Sequence, residues 1–294
     1  MAWGPRNGPQ TPKRSGRPGK AGAPLDTGTS SQAPVSGDNK TVTYVYCVAG
    51  NPTMPRLARA PRGLPGMARP RALRVAPGLW LVVGDAPLSH YSGPRIEAGL
   101  RDLEWVSRCA VAHEMVIEHV ARTGAAVVPM KMFTLFADDA RAIAHVTRLR
   151  KKIEALLGRV AGRQEWGLRV VLDERRALAR NAGPDGDASV SGTAFLLKRK
   201  AEKDAAQQLV AQARVVAEGI FDDLAGHADD ARRRRPTADT PGRLLLEAVF
   251  LVPVAGARTF RAEVARRTRA LAPRGYDLGL SGPWPPYSFV ADAP

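Results

Sequence analysis

The chain has 294 residues, more than one domain usually holds, and its apolar fraction of 44% with 24% charged residues is typical of soluble globular proteins. No apolar stretch approaches the roughly 18 residues that a membrane-spanning helix needs. These values argue against a membrane protein or a fibre and favour two folded domains plus a tail.

Charge is the strongest bulk property: 44 basic against 28 acidic residues give a formal net charge of +16. Such an excess attracts polyanions whatever the fold. However, much of it is arginine in a chain rich in Ala, Gly and Pro, a composition that a GC-rich genome produces without any nucleic-acid partner. Because signatures that read DNA or RNA are missing, nucleic-acid binding is only the alternative function, and the basic tail would bind nucleic acid non-specifically.

Residues 1–40 form a basic Gly/Pro-rich tail with too little apolar content to offset the entropy of ordering, so we expect it to be disordered. It has no apolar core of a secretory signal, which favours a cytoplasmic protein. Cys47 and Cys109 lack CxxC spacing and are interpreted as reduced packing residues.

The first domain, 41–163, is predicted to mix strands and helices. A β-branched and aromatic strand begins at Thr41, and a Pro/Gly/Arg loop follows from Pro52 to Pro70. The later elements are a second strand or hairpin at Leu73–Val83 interrupted by Pro77-Gly78, an amphipathic helix at Gly93–Arg122 ended by Gly124, a buried strand at Ala125–Phe136, and a helix from Asp138 to about Gly158.

The second domain, 164–281, reads as strand, long helix, strand, strand, helix, strand. Its predicted elements are Glu165–Leu172, a loop at Asn181–Gly192, a helix at Thr193–Ala225, an edge strand at Arg232–Arg235, and then Leu244–Val252, Ala257–Leu271 and Tyr276–Leu280. This order matches the split β-α-β, ferredoxin-like arrangement of an α+β protein. The long helix should measure about 50 Å and project as a coiled-coil-like arm.

A search for catalytic or metal-binding constellations finds none. His113-Glu114 resembles the start of a zinc motif, but the next histidine, His119, would point about 240° away on a helix. We interpret His113 as a core histidine. Paired acids at 138–139, 222–223 and 229–230 suit helix ends and solvated faces, so no enzyme activity, metal or cofactor is predicted.

The segment 282–294 contains Gly-Pro-Trp-Pro-Pro-Tyr, in which three prolines fix φ and remove backbone donors, so it must be extended and cannot be a central strand. Two interpretations stay open. The residues Pro283, Trp284, Pro285, Pro286 and Tyr287 form either a strap packed over a sheet edge or between the domains, or an exposed aromatic ledge that binds a partner.

The stretch Leu280–Phe289 closely resembles the "GPWPPYSF" ending of the GvpF/GvpL gas vesicle proteins. Shorter stretches resemble other parts of that family: Tyr44-Val45-Tyr46 its first strand, Leu103-Glu104-Trp105 and Ala112-His113-Glu114 its first long helix, Val128–Thr134 its "LPLRFGT" strand, Glu165–Val170 its "EWGVKV" strand, and Gly192–Lys200 the start of its second-domain helix. The chain departs from the family in its tail, in the 52–70 loop, and in lacking a glycine at Phe133 or Thr134.

The resemblance implies two α+β domains, no catalytic residues, and a role in gas vesicle formation beside the main shell protein. Gas vesicle shell subunits are small and very apolar, so before assembly they expose surface that aggregates. A cytoplasmic, gas-vesicle-associated partner that shields or nucleates them is the expected function, with the shell protein and other accessory proteins as partners.

Overall fold

The computed structural model describes residues 40–181, 192–235 and 242–290. Its strands are β1 (Thr41–Gly50), β2 (Arg71–Ala76), β3 (Leu79–Pro87), β4 (Ala126–Pro129), β5 (Leu135–Phe136), β6 (Arg163–Leu172), β7 (Asp230–Arg233), β8 (Arg243–Pro253) and β9 (Tyr276–Trp284). Its helices are α1 (Leu88–Tyr91), α2 (Gly93–Gly99), α3 (Leu103–Arg122), α4 (Asp139–Arg148), α5 (Arg150–Val160), α6 (Glu174–Asn181), α7 (Gly192–Ala225) and α8 (Ala257–Leu271). The predicted tail and the predicted 181–192 loop lie outside the described residues, apart from their end residues.

The first sheet is antiparallel, with strand order β2-β3-β1-β4, and β5 also pairs with β1. Its central strand β1 is buried from Thr43 to Ala49 because both faces of the sheet are covered. On one face, Tyr44 and Tyr46 pack against α3. On the other, Val45 and Val48 pack against α4 and α5. The sheet therefore sits between two helical layers.

The second sheet is also antiparallel, with strand order β7-β8-β6-β9. Its core packs one face against α7 and α8, with Phe250 and Phe260 both fully buried at the centre and 5.3 Å apart between ring centroids. When the strands of each sheet are numbered 1 to 4 in chain order, both sheets have the spatial order 2-3-1-4. They differ in the first connection, which is the long helix α7 in the second sheet and the 51–70 loop in the first.

The long helix α7 spans 34 residues, or about 51 Å. Among its side chains from Leu197 on, which the structure describes, the first fully buried one is Ala213, followed by Ala217, Ile220 and Leu224 at helical spacing. From Leu197 to Ala205 the side chains are exposed. The predicted helix is confirmed over Thr193–Ala225, while its coiled-coil character stays a prediction.

Several predicted elements are confirmed closely. The hairpin turns at Pro77-Gly78, and the helix Ala257–Leu271 has its predicted bounds. The basic strand is an edge strand as expected, although it lies two residues earlier, at Asp230–Arg233. The sequence did not reveal α6, which follows β6 directly.

Both helices predicted for the first half are broken in two. The continuous helix Gly93–Arg122 was wrong because Asp102 caps a new start: its carboxylate accepts the backbone N–H groups of Glu104 and Trp105. The helix from Asp138 to Gly158 is interrupted at Leu149, whose backbone has φ −100° and ψ 8°. Apolar periodicity continues through both breaks, so it could not show them.

The strand predicted over Ala125–Phe136 was also wrong, because only its two ends are β4 and β5. The chain turns between them, and Phe133 has φ 65°, in the left-handed region that favours glycine. This is a position where the family motif suggested a glycine. The Phe133 ring stacks on Trp105, with 5.4 Å between centroids and 7° between planes, while its N–H lies 3.4 Å from the Tyr44 hydroxyl oxygen.

Substitutions at Phe133 should separate the cost of its backbone from the benefit of its ring. Phe133→Gly and Phe133→Ala both delete the stack on Trp105, but only alanine keeps a Cβ at positive φ. We expect the glycine variant to be more stable than the alanine variant by about 1 kcal/mol in urea unfolding. Equal stabilities, or a more stable alanine variant, would contradict the left-handed conformation.

Candidate functional site at the C-terminal segment

The residues Gly282–Val290, here called the C-terminal strap, begin with the last three residues of edge strand β9 and end in a short helical turn at Tyr287–Phe289. Gly282 lies at an irregularity in the pairing with β6, between the pairs Ser281–Gly167 and Trp284–Glu165. Its φ is 116°, and a Cβ there would lie 2.8 Å from the carbonyl oxygen of Glu165. Pro285 and Pro286 are buried, whereas Pro283 and Trp284 are exposed. The strap therefore has an inner and an outer part.

The inner part of the strap packs against both sheets. Tyr287 contacts the core cluster on the α3 side of the first sheet, and Val290 belongs to the cluster on its other side. Phe289 is 1% exposed and packs on Val249 and Leu251 of β8, on the face of the second sheet that α7 and α8 do not cover. Three neighbouring side chains thus contribute to three separate core clusters.

Polar contacts fix the strap at the second sheet. The carboxylate of Glu165, on β6, accepts hydrogen bonds from the backbone N–H and the hydroxyl of Ser288 at 2.8 and 2.7 Å. Arg232 of β7 donates to the Ser288 carbonyl at 2.7 Å, and its guanidinium carbon lies 5.0 Å from the centre of the Phe289 ring. Burial raises the pKa of Glu165, and the Ser288 hydrogen bonds partly oppose that rise.

A second carboxylate fixes the strap at the first sheet. The Tyr287 hydroxyl donates a hydrogen bond to Glu114 of α3. Burial raises the pKa of Glu114, the Tyr287 hydrogen bond opposes the rise, and the charges of Glu118 and Glu165 add to it. Its other oxygen, Oε1, is buried and finds no hydrogen-bond partner among the described residues. The hydrogen bond from Tyr287 therefore offsets only part of the free-energy cost of removing the Glu114 carboxylate from water.

The outer part of the strap borders a cleft of about 580 Å³. One wall is Pro283–Pro286, and the opposite wall is the end of α3 and the beginning of β4, an edge strand of the first sheet. The Trp284 side chain is 43% exposed, and its indole N–H has no hydrogen-bond partner within the described ranges. Val254, also on the cleft, is 53% exposed. The strap side of the cleft is therefore apolar, while Glu118, Arg122, Arg163 and Gln164 add polar groups to its lining.

The other residues singled out in the sequence have internal roles. His113 is buried, with Nδ1 2.7 Å from the Tyr44 hydroxyl and Nε2 3.1 Å from the Met130 carbonyl, and burial lowers its pKa to about 4. The core role expected for His113 is confirmed. Cys47 and Cys109 are buried free thiols, as expected.

The paired acids at 138–139, 222–223 and 229–230 cap a helix or form ion pairs. Asp138 caps α4, Asp139 binds Arg71, and the other four pair with arginines. Across residues 40–181, 192–235 and 242–290, no group of three or more His, Cys, Asp or Glu side chains could hold a metal ion. In the same ranges, no helix is both long and apolar enough to cross a membrane.

Sequence reasoning identified the strap but missed its two carboxylate partners. Glu114 and Glu165 both lie in the quoted family motifs, 51 residues apart. Nothing local distinguishes them from solvated acids, because their burial depends on tertiary packing.

Comparisons with known proteins agree on one family. A family model described as "Gas vesicle synthesis protein GvpL/GvpF" matches residues 42–291. Gas vesicle protein L of a Streptomyces species is 28% identical over 257 residues, covering 85% of this chain and 93% of the relative. Gas vesicle protein L2 of Halobacterium salinarum is 26% identical over 220 residues, covering 65% of this chain and 74% of the relative.

Two crystal structures share the fold. GvpF from Anabaena sp. PCC7120 superposes with a TM-score of 0.59 at 17% identity, covering 85% of this chain and 96% of that one. GvpF from Microcystis aeruginosa gives a TM-score of 0.59 at 15% identity, covering 85% of this chain and 98% of that one. At these identities the likeness concerns the fold alone.

The pH dependence of stability should report the half-buried Glu114. Because its pKa is raised in the folded chain, the folded state keeps a proton that the unfolded chain has released. The stability from this proton is fully present below the unfolded pKa and is lost as pH rises through the folded pKa. Glu114→Gln is neutral throughout, so we expect it to be at least as stable as wild type near pH 8 and its stability to fall less between about pH 4 and pH 8.

The control is Glu104→Gln, which removes an exposed acid from the same helix. Urea unfolding across the pH series measures all three proteins, and the opposite contribution of His113 is common to them. If Glu104→Gln flattened the profile as much as Glu114→Gln, or if neither did, the uncompensated burial of Glu114 would be refuted.

Proposed function

The chain belongs to the GvpL/GvpF family of gas vesicle synthesis proteins, and from this premise we propose that it is a non-enzymatic assembly factor or minor structural component that binds the main gas vesicle shell protein. The names of its relatives support a role in gas vesicle formation. Binding to the shell protein goes beyond those names and is argued from the surface of the chain.

The exposed Trp284 is the observation on which the proposed contact depends. Two buried prolines follow it, and its own backbone is paired with Glu165 of β6, so the backbone that carries the indole is held in place. A rigid aromatic side chain loses little entropy on binding and offers a large apolar area, the usual character of an interface anchor. The cleft beside it gives an apolar partner segment room to enter.

One face of α3 adds to this surface. Leu103 is 82% exposed, Val111 56% and Met115 47%. At helical spacing these three lie on the side that also carries Glu118 and Arg122, which line the cleft. Of the three, Val111 and Met115 lie nearest to the cleft, about two to three turns before Arg122. A small apolar shell subunit could be shielded there before assembly, which would lower its tendency to aggregate.

We also infer that residues 41–163 and 164–281 are two domains, the second ferredoxin-like. Each sheet has a core cluster of its own, and the second joins six elements in β-α-β-β-α-β order, with α6 added. The inner strap would then be the interdomain part of segment 282–294 and the outer strap its partner-binding part. In this proposal the strap interpretation applies to the inner residues such as Tyr287. The interpretation as an exposed partner-binding ledge applies to the outer residues Pro283 and Trp284.

A pull-down of the host's main gas vesicle shell protein tests the proposal. The shell protein is synthesised together with the full-length chain, and the amount retained on the affinity-tagged chain is measured. We expect Trp284→Ala to reduce capture roughly tenfold, the scale of a hot-spot residue, while the melting temperature stays close to wild type because the side chain is half exposed.

Val215→Ala is the matched control, since it shortens a 72% exposed apolar side chain on α7. It should capture as much shell protein as wild type. Undiminished capture by Trp284→Ala would refute the proposed contact. Loss of capture in Val215→Ala alone would place the contact on the long helix instead.

A further inference from the structure

A second groove, of about 670 Å³, runs between α8 and the edge strand β9. Its floor is apolar and consists of Val264, Leu278 and Leu280. Its α8 wall has the short side chains of Ala262 and Ala265. Both alanines are exposed. This groove is separate from the strap, and neither the family match nor the proposed function assigns it a role.

Three arginines, Arg258, Arg261 and Arg269, rim the groove. On a helix they share one face, at about 4.5 and 12 Å along the axis from one to the next. None of the described residues that line the groove is acidic. Among the described residues, no carboxylate lies within ion-pair distance of any of the three, although Arg261 lies 5.8 Å from the Trp166 ring centre.

The other side of the same helix is different. Arg266 and Arg267 both bind Glu263, and Arg267 also pairs with Asp223. The two arginines lower the pKa of Glu263 to about 2. Helix α8 therefore neutralises its arginines on one side and leaves three uncompensated on the side of the groove. The uncompensated charge at the groove is complementary to acidic side chains of another molecule.

The shape of the groove favours a helical segment as its occupant. The floor residues Leu278 and Leu280 point to the helix-covered face of the second sheet, so an occupant would lie in the helix layer beside α8. Ala262 and Ala265 allow a second helix to approach, because small side chains at a contact shorten the distance between helix axes. The apolar floor favours an amphipathic peptide over nucleic acid, which would need only the cationic rim.

We propose that this groove binds an acidic amphipathic helix of a partner protein. Its apolar side would cover Val264, Leu278 and Leu280, and its carboxylates would pair with Arg258, Arg261 and Arg269. Such pairing combines apolar burial with charge complementarity, which fixes the orientation of the partner.

The probe is a fluorescent peptide of about 18 residues, five helical turns, with leucines along one face and glutamates flanking them. A second peptide has the same composition in an order that spreads the leucines around the helix. Anisotropy titrations with the full-length chain at low ionic strength should show the amphipathic peptide binding roughly tenfold more tightly than the scrambled one.

Three variants locate the binding. The triple substitution R258Q/R261Q/R269Q should weaken binding roughly tenfold, whereas R59Q/R62Q/R69Q, which removes the same charge from exposed loop positions, should leave it within about twofold. Ala265→Trp adds bulk in the groove without changing charge, at an exposed position that tolerates it. It should weaken binding roughly as much as the first triple variant.

Equal binding of the scrambled peptide, equal loss in the loop triple variant, or unchanged binding in Ala265→Trp would each overturn the proposal. A short DNA duplex that displaced the peptide through the same three arginines would also overturn it, in favour of a nucleic-acid site. Because the groove is separate from Trp284, none of these outcomes alters the result of the shell-protein capture.

Discussion

The strap holds the two sheets to each other because its side chains are buried in the cores of both. Phe289 packs on the face of the second sheet opposite α7 and α8, while Tyr287 and Val290 enter the two clusters of the first sheet. Full burial of one such aromatic side chain contributes about 2–3 kcal/mol. The relative placement of β4, α3 and the outer strap, and hence of the cleft, depends on this shared packing.

Two carboxylates, the buried Glu165 and the half-buried Glu114, accompany that packing and explain why it is specific. Glu165 satisfies both the backbone and the hydroxyl of Ser288, and Glu114 accepts the Tyr287 hydroxyl. Each carboxylate is partly or fully shielded from water and needs hydrogen bonds from the protein instead. The strap supplies these hydrogen bonds, which an apolar segment could not do. The polar contacts select the register of the strap, and the apolar contacts supply most of the stabilisation. What is left outside is Trp284.

Much of the secondary structure could be predicted from the sequence, because it depends on local patterns: the hairpin at Pro77-Gly78, the helix Ala257–Leu271 and most of α7. The failures occurred where a local signal competed with a longer pattern. Apolar spacing runs through Asp102 and Leu149, yet a cap and a turn divide both helices. At Phe133 the residue disfavours the left-handed backbone, and the contacts with Trp105 and Tyr44 accompany it there.

The candidate site was predictable only in part. Its prolines and aromatic residues stand out in the sequence, but Trp284 and Tyr287 look alike there, and only the fold separates the outer side chain from the inner one. The acids that hold the strap come from a helix and a strand far apart in sequence. No periodicity can bring them together.

Hydrogen–deuterium exchange on the full chain with Phe289→Ala tests the shared packing most directly. If the strap joins the two sheets, the substitution should raise amide exchange both in β8, which Phe289 contacts, and in β4 with the end of α3, which it does not. Faster exchange confined to β8 and its neighbours in the second sheet would contradict the account.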